Sequence, residues 1–283
     1  IFAYLGNLID TKKLEEAFLK SFKRGPDNNV LKSINSNLTF GFHRLSIMDT
    51  SFKGNQPLFH PKKPYAIICN GEIYNHQFLV KDNNFVTYSE SDCEVLLYLY
   101  EKYGIEGLLN KIDSESFSFC IYDGEKNELI VARDRFGVRP LFVSKTNNNE
   151  YIFSSEAKSI TPLIQKEESL QQFKPGCWKS YSLTENKESD YHEYYSYNFP
   201  EIDSTINDIC FNIKEKMTKA VNKRLMSDRP IGCLLSGGLD SSLVSALVAK
   251  EFKKQKKGEL NTFSIGIKGS PDLIYAKKVA DHI

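Results

Sequence analysis

Long apolar runs are missing from this chain of 283 residues, and none reaches the 18 or so residues that a membrane-crossing helix needs, so no membrane partner is expected. Charge of one sign is also missing. Lys and Arg number 37 against 36 Asp and Glu, a net charge of +1, which gives no electrostatic basis for a nucleic-acid partner. The six Cys, at 69, 93, 120, 177, 210 and 233, show no Cys-x-x-Cys spacing. Most lie among apolar neighbours and read as reduced core thiols, which points to the cytoplasm. The five His have no metal-ligand spacing. No Walker A loop, no Gly-x-Gly-x-x-Gly and no Gly-x-Ser-x-Gly elbow occurs, and no Cys has a motif that nominates it as a nucleophile. Residues 1–10 lack the basic flank of a signal peptide, and there is no initiator Met. The chain opens inside an apolar run and stops inside a helical pattern, so a longer natural protein is expected. At 41% hydrophobic residues it has a globular composition and room for two domains.

What is present is organised around residues 230–242, Pro-Ile-Gly-Cys-Leu-Leu-Ser-Gly-Gly-Leu-Asp-Ser-Ser. The run 231–235 reads as a buried strand. Ser236, Gly237 and Gly238 then turn the backbone, and a helix is expected from near Ser241, with Leu243, Val244, Leu247 and Val248 on its apolar face. A second strand is expected over 261–267. Strand, crossover helix and strand form a βαβ unit with a parallel sheet. Adjacent glycines followed by a helix N-terminus can hold an anion, and the hydroxyls of Ser241 and Ser242 can donate to phosphate oxygens. Asp240 has two readings, a first-turn acid favoured by the helix dipole or a carboxylate that needs a cation beside a phosphate. The loop could equally be a structural turn.

Before this unit, strands are expected over 1–5, 38–42, 65–69, 117–122, 128–132, 139–143 and 151–154. A helix with a Ser91/Glu94 capping box covers 91–103, its apolar side carrying Val95, Leu96, Leu99, Tyr100 and Tyr103. The first part is therefore α+β and mostly antiparallel. Residues 188–205 read as a linker, and 205–226 as a long amphipathic helix with Ile206, Ile209, Ile213, Met217, Val221 and Leu225 in its stripe.

Chemistry in the first part has a few candidate positions. Asn70-Gly71 after a buried strand is a tight turn or an oxyanion hole. Arg44 is a surface ion-pair residue or a fork for a carboxylate. Asp92 is a helix-start acid or a partner for an amine. The charged turn 133–140 reads as a structural ion network.

Taken together, the motifs resemble the glutamine-dependent asparagine synthetase family. They are Ile1-Phe2-Ala3, Arg24-Gly25-Pro26-Asp27, Gly41-Phe42-His43-Arg44-Leu45-Ser46-Ile47, Asn70-Gly71-Glu72-Ile73-Tyr74-Asn75-His76, Ser91-Asp92-Cys93-Glu94, residues 133–141, Ser155-Glu156-Ala157-Lys158, residues 234–242 and Gly269-Ser270-Pro271-Asp272-Leu273. The resemblance implies an α+β Ntn-hydrolase glutaminase domain, four layers in the order α-β-β-α, over residues 1–190. A linker over 191–204 follows, and then, over 205–283, the start of an α/β parallel-sheet domain of the adenine nucleotide α-hydrolase kind. It implies a nucleophilic Cys two residues before Ile1, with its own α-amine as base. Arg44, with Leu45, Ser46, Ile47 and Met48, would take the glutamine α-carboxylate. Asn70 and Gly71 would form the oxyanion hole, and Glu72 and Asp92 would hold the α-amino end. Leu234 and Ile265 would contact adenosine. Ser236, Gly237, Gly238, Ser241 and Ser242 would hold the pyrophosphate of ATP, and Asp240 would place Mg²⁺. The implied reaction makes asparagine from aspartate through β-aspartyl-AMP, with ammonia from glutamine, and a homodimer is an allowed assembly. Phe22-Lys23 departs from the family's usual Arg-His. A sugar or phosphoribosyl amidotransferase, a β-lactam-forming ligase on the same frame and a glutaminase-dead regulatory protein are the alternatives.

Overall fold

The computed structural model describes residues 1–283 except 8, 9, 167 and 186. The chain divides into two compact units, Ile1–Asn198 and Phe199–Ile283. In the first, chain order runs β1 (Phe2–Leu5), α1 (Thr11–Leu19), β2 (Asn28–Asn35), β3 (Leu38–Arg44), β4 (Leu58–Phe59), β5 (Tyr65–Gly71), α2 (His76–Asn83), α3 (Val95–Lys111), β6 (Phe117–Asp123), β7 (Glu128–Arg133), β8 (Phe142–Lys145), β9 (Tyr151–Ser154), β10 (Leu170–Gln172), β11 (Cys177–Ser182) and β12 (His192–Glu193).

These strands form two antiparallel six-stranded sheets, β10-β8-β9-β1-β3-β2 and β12-β11-β7-β6-β5-β4. Both sheets are apolar on both faces, which fixes the layering. Ala3, Leu5, Phe40 and Phe42 of the first sheet pack against Ala66, Ile68, Cys120 and Val131 of the second. The alternate residues point outward. Phe2, Tyr4 and Ile152 meet Leu14 and Phe18 of α1, while Ile67, Phe119 and Ile121 meet α2 and α3. Side chains alternate along a strand, so residues 2–5 and 65–69 can each feed two cores. The result is the four-layer α-β-β-α arrangement.

Local details of this unit differ from the sequence reading. Asn70-Gly71 is not a turn: both residues are paired in β5, Asn70 opposite Ser118 and Gly71 opposite Phe117. The capping box does not form. Glu94 instead turns inward and accepts from the backbone N–H groups of Tyr88 and Ser89, each at 2.7 Å, and from the Tyr98 hydroxyl. The charged turn is held by backbone rather than by ion pairs. Asp134 accepts from the N–H groups of Phe136, Val138 and Arg139, and Arg133 donates to the carbonyls of Gly137, Arg139 and Phe173.

The second unit contains α4 (Ile206–Lys223), β13 (Gly232–Leu234), α5 (Leu239–Gln255), β14 (Asn261–Phe263) and α6 (Pro271–His282). β13 and β14 are parallel, joined through α5, so the βαβ unit is present. The second strand ends at Phe263, short of the expected Ile267, and Leu234 of the first is exposed. α5 buries Ser245, Val248, Ala249 and Phe252 rather than Leu243 and Val244, because Val248 and Phe252 pack on Val221 of α4 and on Leu225 just after it. The N-terminal part of the α4 stripe, Ile206, Ile209 and Ile213, is exposed. α6 opens with Ser270 capping the Leu273 N–H and Pro271 in its first turn.

Candidate functional site

β1, β3 and β5 come to the same end of the stacked sheets, and a cleft of about 360 Å³ opens there. Its wall includes Ile1, Arg24, Arg44, Gln56, Asn70, Asp92 and Arg139. Of the residues expected around glutamine, Leu45, Ile47, Met48, Gly71 and Glu72 also line it. Ser46 does not; its N–H is held by Asp27 Oδ2 at 2.8 Å. Arg44 and Asn70 belong to different sheets, and the stacking of those sheets is what brings them to one cleft.

Arg44 is buried at the end of β3 and ties down the following loop. Its Nη1 donates to the Ser51 carbonyl and to Asn55 Oδ1, both at 2.7 Å, and its Nη2 to the carbonyls of Met48 and Asp49. The Asp49 carboxylate then accepts from Ser51 Oγ at 2.6 Å and from the Glu90 N–H at 2.9 Å, linking this loop to the segment before Asp92.

Across the cleft, Asn70 Nδ2 is buried with no hydrogen-bond partner among the described residues. A buried amide donor left unpaired costs about 1–3 kcal/mol, so this one is poised for an acceptor. Gly71 is required for space. A Cβ there would stand 2.6 Å from the Ser116 carbonyl oxygen and 2.7 Å from Phe117 Cα. The acid side is electrostatically strained. Burial pushes Asp92 up to about 6, although its Oδ2 accepts the Ile73 N–H at 2.7 Å. Glu72 is raised as well, by burial first and then by Asp92, while Arg139 pulls it back. A cation bound between these carboxylates would relieve both. The cleft therefore offers an unpaired donor on one wall, a buried guanidinium on another and an acidic pair, a set that suits an amino acid with a polar side chain.

Sequence reasoning did not single out Gln56 or Arg139 for this cleft. The signal for Gln56 is slight, a polar residue in a loop before Pro57, and Arg139 stands in a charged turn and in the motif 133–141, neither of which shows that it reaches the cleft.

In the second unit, the loop after β13 is shaped by Gly237. It has φ +84°, and a Cβ on it would meet the Asp272 carbonyl oxygen and the Ala276 N of α6 at 2.6 and 2.7 Å. The serines hold the loop as well as facing solvent. Ser236 Oγ lies 2.9 Å from Ser241 Oγ, and Ser242 Oγ donates to the Gly238 carbonyl at 2.7 Å. Asp240 sits exposed in the first turn of α5. Leu234 and Ile265 are 83% and 99% exposed, open to contact.

Comparison with known proteins agrees with both units. Residues 1–195 match the glutamine amidotransferase domain family, and residues 212–283 match asparagine synthase. Asparagine synthetase [glutamine-hydrolyzing] of Homo sapiens is 39% identical over 295 residues, covering 94% of this chain and 51% of that protein. The Gallus gallus protein of the same name is 37% identical over 287 residues with the same coverage. The chain thus spans about half the length of the curated relatives it matches. Among solved structures, a glutamine phosphoribosylpyrophosphate amidotransferase from B. subtilis, complexed with ADP and GMP, aligns with a TM-score of 0.56 at 17% identity, covering 96% of this chain and 69% of that one; this likeness concerns the fold. The two-sheet fold, the cleft at its end and the match over residues 1–195 lead to one conclusion: this chain belongs to the glutamine amidotransferase domain family, joined here to a stretch that matches asparagine synthase.

Proposed function

We propose that the whole protein makes asparagine from aspartate and ATP with nitrogen taken from glutamine. The observation that carries the glutaminase half is the unpaired, buried Asn70 amide on the wall of the cleft. Glutamine enters with its α-ammonium toward Glu72 and Asp92 and its α-carboxylate toward Arg44 and the loop 45–48. Both terminal nitrogens of Arg44 already hold loop carbonyls, so it acts through its charge and through the loop it fixes. Ile1 lines the cleft, so a Cys joined two residues before it, as the resemblance implies, enters the same space. Its thiol attacks the glutamine side-chain carbonyl, and its α-amine takes the thiol proton. Asn70 Nδ2 and the Gly71 N–H hold the developing oxyanion. Collapse of the adduct breaks the carbon–nitrogen bond, the proton on the α-amine passes to the departing nitrogen, and ammonia leaves a thioester that water hydrolyses to glutamate and the free thiol.

In the synthetase half, the backbone of residues 236–238 and the hydroxyls of Ser241 and Ser242 cradle the pyrophosphate of ATP at the start of α5. Asp240 is an exposed carboxylate in that first turn, a hard oxygen donor that fits Mg²⁺ shared with phosphate oxygens. Bound there, Mg²⁺ would offset phosphate charge. Leu234 and Ile265 offer apolar surface to adenosine. Aspartate attacks the α-phosphorus, pyrophosphate leaves, and ammonia displaces AMP from β-aspartyl-AMP. Buried thiols at 69, 93, 120 and 177 support a reducing, cytoplasmic setting, and a homodimer is the assembly the resemblance allows.

The test is product analysis of the full-length protein with aspartate, ATP and glutamine labelled at its amide nitrogen. Label is expected in asparagine, with AMP and pyrophosphate formed in equal amounts. A different amide product, or no AMP, would overturn the assignment.

A further inference from the structure

We propose that Gln56 is the positioning residue that sets Asn70 for the oxyanion. The proposal rests on the reading of Asn70 as the oxyanion donor and deepens it. β4 pairs with β5 only at Leu58–Ile67 and Phe59–Ala66. Beyond Ile67 the outer edge of β5 has lost its strand neighbour, just where the strand carries Cys69, Asn70 and Gly71 into the cleft. The Gln56 carboxamide takes the neighbour's place. Its Oε1 accepts the Cys69 N–H at 2.6 Å, and its Nε2 donates to the Cys69 carbonyl at 3.1 Å. Gln56 is itself buried and lines the cleft.

This clamp grips the peptide groups on either side of the Cys69 Cα, so the Cys69 carbonyl it holds belongs to the peptide that leads into Asn70. It is not what keeps β5 in its sheet, because β6 pairs with β5 along the other edge from Tyr65 to Gly71. What it adds is the orientation of the strand end. The neighbouring residue extends the link. Asn55 Oδ1 accepts from Arg44 Nη1 at 2.7 Å. A continuous run of bonds thus joins the guanidinium on one wall, through Asn55 and Gln56, to the amide donor on the other. A donor displaced by about 1 Å can cost on the order of 100-fold in rate, so the clamp is placed where small movements matter most.

The experiment uses the full-length protein and measures glutamine hydrolysis and ammonia-dependent asparagine formation in parallel. Gln56→Ala is expected to lower kcat for glutamine hydrolysis about 100-fold, with the glutamine KM within about threefold and the ammonia-dependent reaction unchanged. Gln56→Glu supplies the second readout. When ionised, the new carboxylate still accepts from the Cys69 N–H but cannot donate to the Cys69 carbonyl. When protonated, it can do both. Its kcat relative to the unaltered protein is therefore expected to recover as pH falls. An unchanged kcat in Gln56→Ala overturns the positioning role. So does a parallel fall in the ammonia-dependent reaction, or a Gln56→Glu deficit that does not narrow at low pH. An unaltered full-length protein that hydrolyses no glutamine would instead remove the glutaminase reading beneath the proposal, which an unaffected Gln56→Ala variant leaves standing.

Discussion

At the scale of single residues, the cleft is built from groups that are held against their own preferences. Asn70 keeps a donor unpaired in a buried position, and Asp92 and Glu72 share a desolvated wall. Asp92 gives a prediction with a definite sign. Its folded-state value, about 6, lies above the ordinary aspartate value of about 3.9. Between those two pH values the unfolded chain releases the proton while the folded chain keeps it. Stability therefore falls as pH rises through that window, and the cost is fully present above about 6. Asp92→Asn removes the cost and keeps an oxygen for the Ile73 N–H. It is expected to raise the melting temperature by about 2–4 °C at pH 8, with the advantage gone near pH 4, while glutamine KM rises at least tenfold. Paired melting curves and kinetics check this, and a variant less stable at pH 8 would contradict it. The sequence made Asn70, Glu72, Asp92 and Arg44 legible as candidates because their motifs stand together. It could not reveal Gln56, whose position depends on where β4 stops pairing with β5.

At the scale of elements, strands were legible where both faces are apolar, as at 65–69 and 117–122, because each alternate residue feeds one of two cores. β2 was not. It is the edge strand of its sheet, and its residues Asn28–Asn35 are half-buried or exposed, so no alternation announces it. β10 and β12 are too short to show a pattern, and β11 carries Lys179 and Ser180 in its middle. α3 is buried on several sides, so its stripe reads as wider than one face, and Gly104 at φ 67° interrupts it. The loop and α5 behave as one element. Gly237 fits only because it has no Cβ, and the helix start it leads to carries Asp240. Asp240→Ala is expected to lower ATP-to-pyrophosphate turnover at least 100-fold, while glutamine hydrolysis stays within about twofold. Pyrophosphate release by the variant at the normal rate would contradict the role given to this acid.

At the scale of the whole molecule, the two units differ in architecture. The first carries two stacked six-stranded sheets with a cleft at one end, and the second a glycine-bearing loop on a two-stranded parallel sheet. The domain order was legible because the strand pattern changes from antiparallel to βαβ. The cleft was legible only in part, since stacking of the sheets, and not sequence spacing, unites Arg44 with Asn70. In the proposed function this cleft frees ammonia from glutamine for the synthetase half to use, with Asn70 as the oxyanion donor. Its most direct test is Asn70→Ala in the full-length protein, with asparagine formation followed from glutamine and, separately, from ammonium. The glutamine-dependent rate is expected to fall about 100- to 1000-fold, with glutamine KM changed little and the ammonium-dependent rate unaltered. A glutamine-dependent rate within a few-fold of the original, or an equal loss with both nitrogen sources, would contradict it.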